Sequence, residues 1–159
     1  MFLNKKKAFL LISISIIFFF LTLLDVRSAS LKVTDGDTII LNGKKIRFSG
    51  IDTPELKQTC VLNGSINYCG LYAKKLLIKK IGVNKVYCIK EGKDRYKRIL
   101  AECFVNNESL SSFLVKSGYA FAYRRYSKKF IKDEDYARIN KKGMWAMDFD
   151  YPWDYRKNN

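Results

Sequence analysis

The chain has 159 residues, of which 48% are hydrophobic and 28% are charged, which is enough for one core and too little for two large domains. It contains no histidine, and this excludes Ser-His-Asp triads, histidine general bases and zinc sites built on histidine. Lys and Arg number 30 against 15 Asp and Glu, so the formal net charge is +15 and a polyanionic partner is favoured.

The first 28 residues have the layout of an export signal. Three lysines at positions 5–7 precede an uncharged stretch over residues 8–24, and Val26 and Ser28 offer a small-residue cleavage site. The stretch is also just long enough to span a bilayer, so a retained N-terminal membrane anchor through residues 8–24 is the competing interpretation. Both alternatives place the domain outside the cytoplasm, either secreted or periplasmic, or tethered to the membrane.

The next segment predicts paired strands and then a helix. Residues 31–41 are rich in β-forming residues, Asn42-Gly43 is a two-residue hairpin signal, and residues 44–51 form the returning strand. After a loop, residues 72–81 carry apolar side chains at helical spacing. We therefore expect a hairpin followed by an amphipathic helix.

The second half predicts another strand pair and two helices. Residues 83–89 and 98–105 read as strands joined by a polar connection, in a sheet that we expect to be antiparallel throughout. Ser109 can cap a short helix that ends at Gly118, and residues 132–142 suggest a second helix.

These elements predict a mainly β domain with helices. About five short strands and about three α-helices fit a five-stranded Greek-key barrel of the OB type, preceded by the hydrophobic leader. We place the domain at residues 30–147 and an aromatic, basic tail at residues 148–159. This fold class commonly binds oligonucleotides, but a fold alone does not establish a function.

The basic excess belongs to the folded domain. Residues 1–28 hold four basic residues and one acidic residue, which leaves 26 basic and 14 acidic residues and a net charge of +12 in the remainder. Nucleic acid or an acidic membrane surface would be attracted to such a domain. A lysine-rich composition from an AT-rich genome would produce the same charge, so charge alone does not identify the partner.

The four cysteines are expected to form two disulfides. No CxxC pair suggests a zinc site, and an even cysteine count behind a leader indicates disulfides. Three connectivities are open, and we favour Cys60–Cys69 with Cys88–Cys103, because Cys88 and Cys103 lie on two runs that could pair as a hairpin.

Four acidic residues lie close together in a chain otherwise rich in lysine: Asp35, Asp37, Asp52 and Glu55. Carboxylates are hard oxygen ligands that suit calcium or magnesium. Taken singly, each acidic residue could equally belong to a solvated turn or bond its own backbone.

The predicted hairpin brings one of these carboxylates close to an arginine. A turn at Asn42-Gly43 sets Thr38 opposite Arg47, so Asp37 lies within one residue of Arg47. Strict alternation would point Asp37 and Arg47 to opposite faces, so a shared site requires a bulge or twist near Gly36.

The order and spacing of several motifs resemble the staphylococcal nuclease family from about residue 31 to residue 145. The motifs are Asp35-Gly36-Asp37-Thr38, Arg47, Gly50-Ile51-Asp52-Thr53-Pro54-Glu55, Asp94-Arg95-Tyr96-Lys97-Arg98, Ser117-Gly118-Tyr119-Ala120 and Gly143-Met144-Trp145. Two departures are visible. Lys97 stands where the family often has glycine, and the segment from Cys60 to Cys69 is an elaboration.

The resemblance implies a calcium site and a set of catalytic residues. Asp37 and Asp52 would bind calcium with help from the backbone carbonyl of Thr53, and Glu55 would be the general base. Arg47 and Arg98 would grip the scissile phosphate, because an arginine donates paired hydrogen bonds to phosphate oxygens. The implied product is a 3′-phosphate formed by attack of water on phosphorus.

Three tyrosines are candidate substrate contacts. Tyr96, Tyr123 and Tyr126 could pack on a base or sugar, since aromatic faces bind single-stranded nucleic acid with little sequence preference. Ordinary packing is the alternative for each of them in a chain with 10 tyrosines.

The sequence thus predicts a monomeric, exported, calcium-dependent nuclease that hydrolyses phosphodiester bonds of DNA and/or RNA. The main alternative is a non-catalytic nucleic-acid-binding OB-fold domain, although the candidate catalytic residues are all present. A basic interaction domain tethered to the cell envelope is a further alternative, and it would not explain the spacing of the acidic residues.

Overall fold

The structure is a computed structural model that describes residues 30–159. The predicted signal or anchor at residues 1–28 lies outside the described residues. Among the helices that are described, none is long and apolar enough to cross a membrane.

The described chain folds into ten short strands, four α-helices and one 3-10 helix. The strands are β1 (Leu31–Val33), β2 (Thr38–Leu41), β3 (Lys44–Phe48), β4 (Ile51–Asp52), β5 (Cys60–Leu62), β6 (Ser65–Asn67), β7 (Val86–Lys93), β8 (Ile99–Val105), β9 (Glu108–Ser109) and β10 (Phe121–Ala122). The helices are α1 (Cys69–Ile81), α2 (Leu110–Lys116), α3 (Ile131–Ile139) and α4 (Pro152–Asn158), with the 3-10 helix at Gly143–Ala146.

The main sheet has the order β1-β2-β3-β8-β7, and β9 pairs with β8. This mixed sheet with its helices confirms the prediction of a mainly β domain of the OB type. The expectation of an antiparallel sheet throughout is wrong at one place, because β3 pairs with β8 in parallel. Between β3 and β8 the chain passes through three short strands, α1 and β7. It then turns back, so β8 is antiparallel to β7 and runs in the same direction as β3.

The opening hairpin has the predicted register, with Thr38 opposite Arg47 and Leu41 opposite Lys44. Asn42 and Gly43 both have positive φ, as this two-residue turn requires. Residues 31–41 are not one strand, however. The chain bends between β1 and β2, and these two strands pair with each other.

The helices were predicted with errors mainly at their ends. Helix α1 begins three residues earlier than expected, at Cys69, and the α3 helix ends at Ile139 rather than at residue 142. Ser109 caps α2 as predicted, since its side chain accepts a hydrogen bond from the backbone N–H of Ser112. Helix α4 lies in the segment that we expected to be a tail, so the described residues contain four α-helices rather than about three.

Two hydrophobic clusters stabilise the domain. The larger is formed by the inner face of the sheet with α1 and α2, and includes Phe48, Leu77 and Leu114. The smaller surrounds Phe121 and Met144 and includes Phe149, Tyr151 and Trp153 of the C-terminal segment. It therefore attaches the C-terminal segment to the domain.

Both favoured disulfides are present, and this confirms the predicted connectivity. Cys60–Cys69 joins the short β5–β6 hairpin to the start of α1, and Cys88–Cys103 joins β7 to β8. Cys88 and Cys103 are direct partners in the strand register.

Candidate active site

Asp37 and Arg47 contact each other at one edge of the opening hairpin. Arg47 donates from Nη1 to Oδ1 of Asp37 at 3.2 Å, and its Nη2 lies 3.1 Å from Oδ2 of the same carboxylate. Asp37 lies in the bend before β2, so the alternation of a strand does not dictate where its side chain points. The expected distortion near Gly36 is this bend.

Asp52 joins the same arginine from a different pair of strands. It ends β4, where it is the register partner of Phe121 in β10. Its carboxylate is fully buried and accepts a hydrogen bond from Nη2 of Arg47 at 2.8 Å. One arginine nitrogen therefore contacts two buried carboxylates from separate elements.

Gly36 allows the two elements to approach. A Cβ at this position would lie 2.8 Å from Oγ1 of Thr53 and 3.1 Å from Cβ of Ala73. Thr53 is buried directly after Asp52, so its side chain fills the space that a larger residue at position 36 would need. The glycine in the Asp35-Gly36-Asp37 motif thus has a packing role.

Burial controls the charge of this pair. Loss of solvation raises the pKa of Asp37 to about 7, although Arg47 acts to lower it. Burial acts to lower the pKa of Arg47, but Asp37 and Asp52 outweigh it and raise that pKa above its ordinary value. Near neutral pH, Asp37 is therefore poised between its protonated and charged forms, and a further positive charge nearby would favour the charged form.

The donor set around Asp37 and Asp52 fits a hard cation. The possible metal ligands there are carboxylate oxygens. Oδ2 of Asp37 and Oδ1 of Asp52 both contact Nη2 of Arg47, so this pair of oxygens already binds one positive charge. Calcium and magnesium both take oxygen ligands, and water or substrate oxygens would have to complete the coordination of either ion here. Across residues 30–159, no group of three or more His, Cys, Asp or Glu side chains is arranged to hold a metal ion.

Glu55 is held by its backbone on a loop beside these carboxylates. Its N–H donates to Oε1 of Gln58 at 3.1 Å, and its carbonyl accepts from the N–H of Gln58 at 2.7 Å. Gly70, in the first turn of α1, lies so close that a Cβ there would be 1.8 Å from the carbonyl oxygen of Glu55. The backbone of the candidate base is therefore fixed by α1 and by Gln58.

A residue that the sequence interpretation missed completes the cluster. Arg156, in α4, donates from Nη1 to Oε1 of Glu55 at 2.8 Å, and both of its terminal nitrogens contact the carboxylate of Asp52. Partial burial acts to lower the pKa of Arg156, but hydrogen bonds to Asp52 and Glu55 outweigh it and raise the pKa above its ordinary value.

The sequence contains signals for helix α4, but none indicates which residues its arginine contacts. Pro152 stands at the first helical position, where proline is favoured, and Asp154 lies in the first turn. These signals predict a short helix. They do not reveal that Arg156 contacts a carboxylate 104 positions earlier in the chain.

Arg98 lies in a different environment from Arg47. Its Nε donates to Oδ2 of Asp94 at 2.6 Å, and its backbone N–H donates to Oδ1 of the same residue. No contact joins Arg98 to Asp37, Asp52 or Glu55 within the described residues. Its guanidinium lies 5.5 Å from the ring centre of Tyr96, which is the one candidate substrate tyrosine beside it.

Lys97 adopts the backbone conformation that the family glycine would favour. Its φ is +63°, and its N–H donates to the carbonyl of Asp94 at 3.0 Å. The turn thus forms without glycine, although a non-glycine residue is strained in this region of φ.

Tyr123 and Tyr126 contact each other after β10. Their rings meet edge to face, with centroids 4.9 Å apart, and the N–H of Tyr123 donates to the carbonyl of Gly50. Trp153 of α4 stacks nearly parallel to Tyr123 at 6.1 Å. One face of Tyr123 is therefore directed toward the C-terminal segment.

A cleft of about 650 Å³ lies next to these rings and does not include the carboxylates. Its lining combines Arg124 and Arg125, which follow β10, and Arg138 of α3 with aromatic rings that include Tyr123 and Trp153. The chemistry of Asp37, Asp52 and Glu55 therefore lies outside the cleft, and we assign no reaction to it.

Comparison with known proteins identifies the family. A model of the family described as "Staphylococcal nuclease homologue" matches residues 45–147, which is more than half of the chain. The chain belongs to the staphylococcal nuclease family. The matched range contains Arg47, Asp52, Glu55 and Arg98 but neither Asp37 nor Arg156.

Several relatives have names that refer to nucleases. A Haemophilus influenzae protein named "Uncharacterized endonuclease" is 31% identical over 122 residues, which cover 72% of this chain and 64% of that protein. "Probable staphylococcal-like nuclease CAN2" of rice is 29% identical over 77% of this chain and 32% of its own length. "Endonuclease YncB" of Bacillus subtilis is 31% identical over 72% of this chain and 59% of its own length. The chain thus spans less than two thirds of each of these relatives.

Proposed function

We propose that this protein is a calcium-dependent nuclease that hydrolyses phosphodiester bonds of DNA and/or RNA and leaves 3′-phosphate ends. The observation that carries the proposal is the meeting of two buried carboxylates, Asp37 and Asp52, on one arginine, with the carboxylate of Glu55 beside them. Membership of the staphylococcal nuclease family and the names of the relatives support the same activity.

In this proposal each residue has a distinct chemical task. Glu55 accepts a proton from the attacking water, whose oxygen forms the new bond to phosphorus while the bond to the 5′ oxygen breaks, and the 5′ oxygen leaves as a hydroxyl group by taking a proton from solvent. Arg47 and Arg98 donate hydrogen bonds to the phosphate oxygens, where negative charge develops. Asp37, Asp52 and the carbonyl of Thr53 would hold calcium, which would offset the charge of the phosphate and fix its orientation.

Substrate contacts are proposed for three tyrosines. Tyr96 lies beside Arg98, and the rings of Tyr123 and Tyr126 contact each other. Tyr96 and Tyr126 are well exposed, with 64% and 70% of their surface accessible, so a base or sugar could reach them. Such stacking would favour accessible single strands or frayed duplex ends without reading their sequence.

The test is cleavage of single-stranded and duplex DNA and of RNA by the full chain with calcium, with magnesium and with excess chelator. We expect cleavage with calcium, loss of cleavage with chelator, and 3′-phosphate product ends. The Arg47→Ala variant, purified in parallel, controls for contaminating nucleases. Full cleavage in chelator would contradict the calcium requirement, and binding without cleavage would favour the non-catalytic alternative.

We also propose that the domain acts outside the cytoplasm. The two disulfides support this, because disulfides persist in oxidising compartments and are rare in the cytosol. Mass spectrometry of alkylated protein from its native compartment should find no modified cysteine. Four alkylated cysteines would refute the proposed location.

A further inference from the structure

We propose that Arg156 is a positioning residue of the active site, which holds the carboxylate of Glu55 in place for catalysis. The inference rests on the proposed role of Glu55 as the general base. It assigns a function to the C-terminal segment, since neither the motifs quoted above nor the matched range of the family includes Arg156.

The side chain of Glu55 depends on Arg156 for its orientation. Its backbone is fixed by Gln58 and by the close approach of α1, but these contacts leave the carboxylate free to rotate. Within the described residues, Nη1 of Arg156 is the hydrogen-bond donor that contacts this carboxylate, at 2.8 Å. Glu55 is a half-exposed residue on a loop, so without this contact several side-chain rotamers would compete.

The C-terminal segment reaches Glu55 by a second route. Gln58, which accepts a hydrogen bond from the N–H of Glu55, donates from Nε2 to the carbonyl of Asp150 at 2.7 Å. Gln58 is fully buried. Backbone and side chain of Glu55 are therefore both linked to residues 150–156, and this arrangement is typical of a supporting shell around a catalytic group.

The packing of the segment favours a permanent part of the site over a strap that must leave it. Phe149, Tyr151 and Trp153 pack into the smaller hydrophobic cluster, where Phe121 contacts all three rings. Asp148 also forms a backbone bridge with Val61 through two hydrogen bonds of 2.9 Å. Removing the segment would expose this aromatic surface to water, which is unfavourable.

Arg156 makes two kinds of contact that respond differently to a cation. Its contacts with Asp52 would be weakened by any positive ion bound between Asp37 and Asp52, because the ion and the guanidinium compete for the same carboxylate. Its contact with Glu55 would not be weakened in this way, because Glu55 is not one of the two carboxylates that would hold the ion. We therefore expect Arg156 to oppose cation binding slightly while supporting catalysis, and these opposite effects make the proposal testable.

The experiment compares Arg156→Ala and Arg156→Lys with Lys157→Ala, all in the full chain. Lys157 is an exposed neighbour on α4 that makes no ion pair among the described residues, so its variant is a matched loss of one positive charge. We expect kcat of Arg156→Ala to fall about 10²-fold, the loss typical of a misplaced catalytic group, with KM within about threefold. Lysine should restore part of kcat, and Lys157→Ala should stay within about twofold of wild type.

A second readout does not depend on turnover. Titration calorimetry with calcium alone should show that Arg156→Ala binds calcium at least as tightly as the wild type, because a competing cation has been removed. Weaker calcium binding would overturn the proposal, since it would mean that the site had collapsed. Should Arg156→Ala fail to fold, Arg156→Gln, which keeps most of the side-chain length, is measured instead.

A double-mutant cycle separates this inference from the proposed function. Glu55→Gln alone should lose about 10²–10⁴-fold in kcat, and adding Arg156→Ala to it should cost no more than about threefold. Normal turnover of Glu55→Gln would contradict the proposed base. An inactive Glu55→Gln with a normal or faster Arg156→Ala would overturn only the positioning role, and a faster enzyme would identify α4 as an inhibitory strap.

Discussion

The carboxylate cluster and the β7–β8 turn present their arginines in opposite ways. Arg47 lies on a strand and bridges Asp37 and Asp52, two buried residues that arrive on different elements. Arg98 lies at the end of a short turn and pairs with Asp94, four residues before it. The first arrangement depends on the whole fold, whereas the second is local.

This difference indicates how the two arginines would respond to substrate. Arg47 offsets the negative charge of its two buried partners, Asp37 and Asp52, so it stabilises the folded structure. It also has a role in the proposed chemistry. Burial opposes ionisation of Asp94, but the hydrogen bonds and charge of Arg98, with the N–H of Tyr96, together outweigh it and lower the pKa of that carboxyl. Arg98 must therefore exchange Asp94 for a phosphate when substrate binds, and its loss should affect catalysis much more than stability.

Of the two arginines, Arg47 should have the larger effect when it is changed to alanine. Loss of a charge-assisted phosphate donor should lower kcat/KM by about 10³-fold. In chelator, the same change leaves two buried carboxylates without their shared partner and should lower the free energy of unfolding by about 3 kcal/mol. The measurements are steady-state cleavage with calcium and urea unfolding with chelator.

The pH dependence of that stability loss provides a control. The pKa of Asp37 is about 7 in the wild type, above its ordinary value, so burial of its charged form reduces stability as pH rises toward 7. Below pH 7 its protonated form predominates in both proteins, whereas above pH 7 only the wild type has Arg47 to offset the charge. The difference in stability should therefore be larger at pH 8 than at pH 6, and a difference independent of pH would contradict the assigned role of Asp37.

Much of the fold followed from local sequence signals. Asn42-Gly43 determined the turn and therefore the register that sets Thr38 opposite Arg47. Asn63-Gly64 is the same signal in the shorter β5–β6 hairpin, but its flanking strands are only three residues long, too short for the alternation that predicts a strand. The parallel pairing of β3 with β8 could not be read locally, since it joins segments separated by a helix and another strand.

The candidate site shows the same division. Resemblance to a family identified the residues on the early strands and loops, and the structure brings Asp37, Arg47, Asp52 and Glu55 together. Arg156 could not be found from spacing, because it reaches the cluster only through aromatic packing of the C-terminal segment. The segment is aromatic, but the expectation that it is basic is wrong, because it has three aspartates against Arg156 and Lys157. Its composition does not indicate that one of its charges points inward.

Arg98→Ala should have the smaller effect, because the ion pair of Arg98 joins it only to a residue of the same turn. Loss of one phosphate donor should lower kcat/KM by about 10²-fold. Its ion pair with Asp94 lies within one turn and is partly exposed, with 23% and 14% of the two side chains accessible, so the free energy of unfolding should fall by only about 1 kcal/mol. Cleavage assays and urea unfolding, performed as for Arg47→Ala, measure both quantities.

Arg95→Ala is the matched control for Arg98→Ala, because both arginines lie over the ring of Tyr96, at 4.8 Å and 5.5 Å from its centre. Arg95 makes no ion pair within the described residues, so its removal tests the general effect of losing a positive charge beside Tyr96. We expect Arg95→Ala to lower kcat/KM by no more than about threefold, through weaker long-range attraction of the polyanion.

Equal losses in the two variants would mean that Arg98 contributes only charge and does not contact the scissile phosphate. A loss of stability in Arg98→Ala as large as that of Arg47→Ala would instead show that the turn supports the fold, and the contrast between the two arginines would fail.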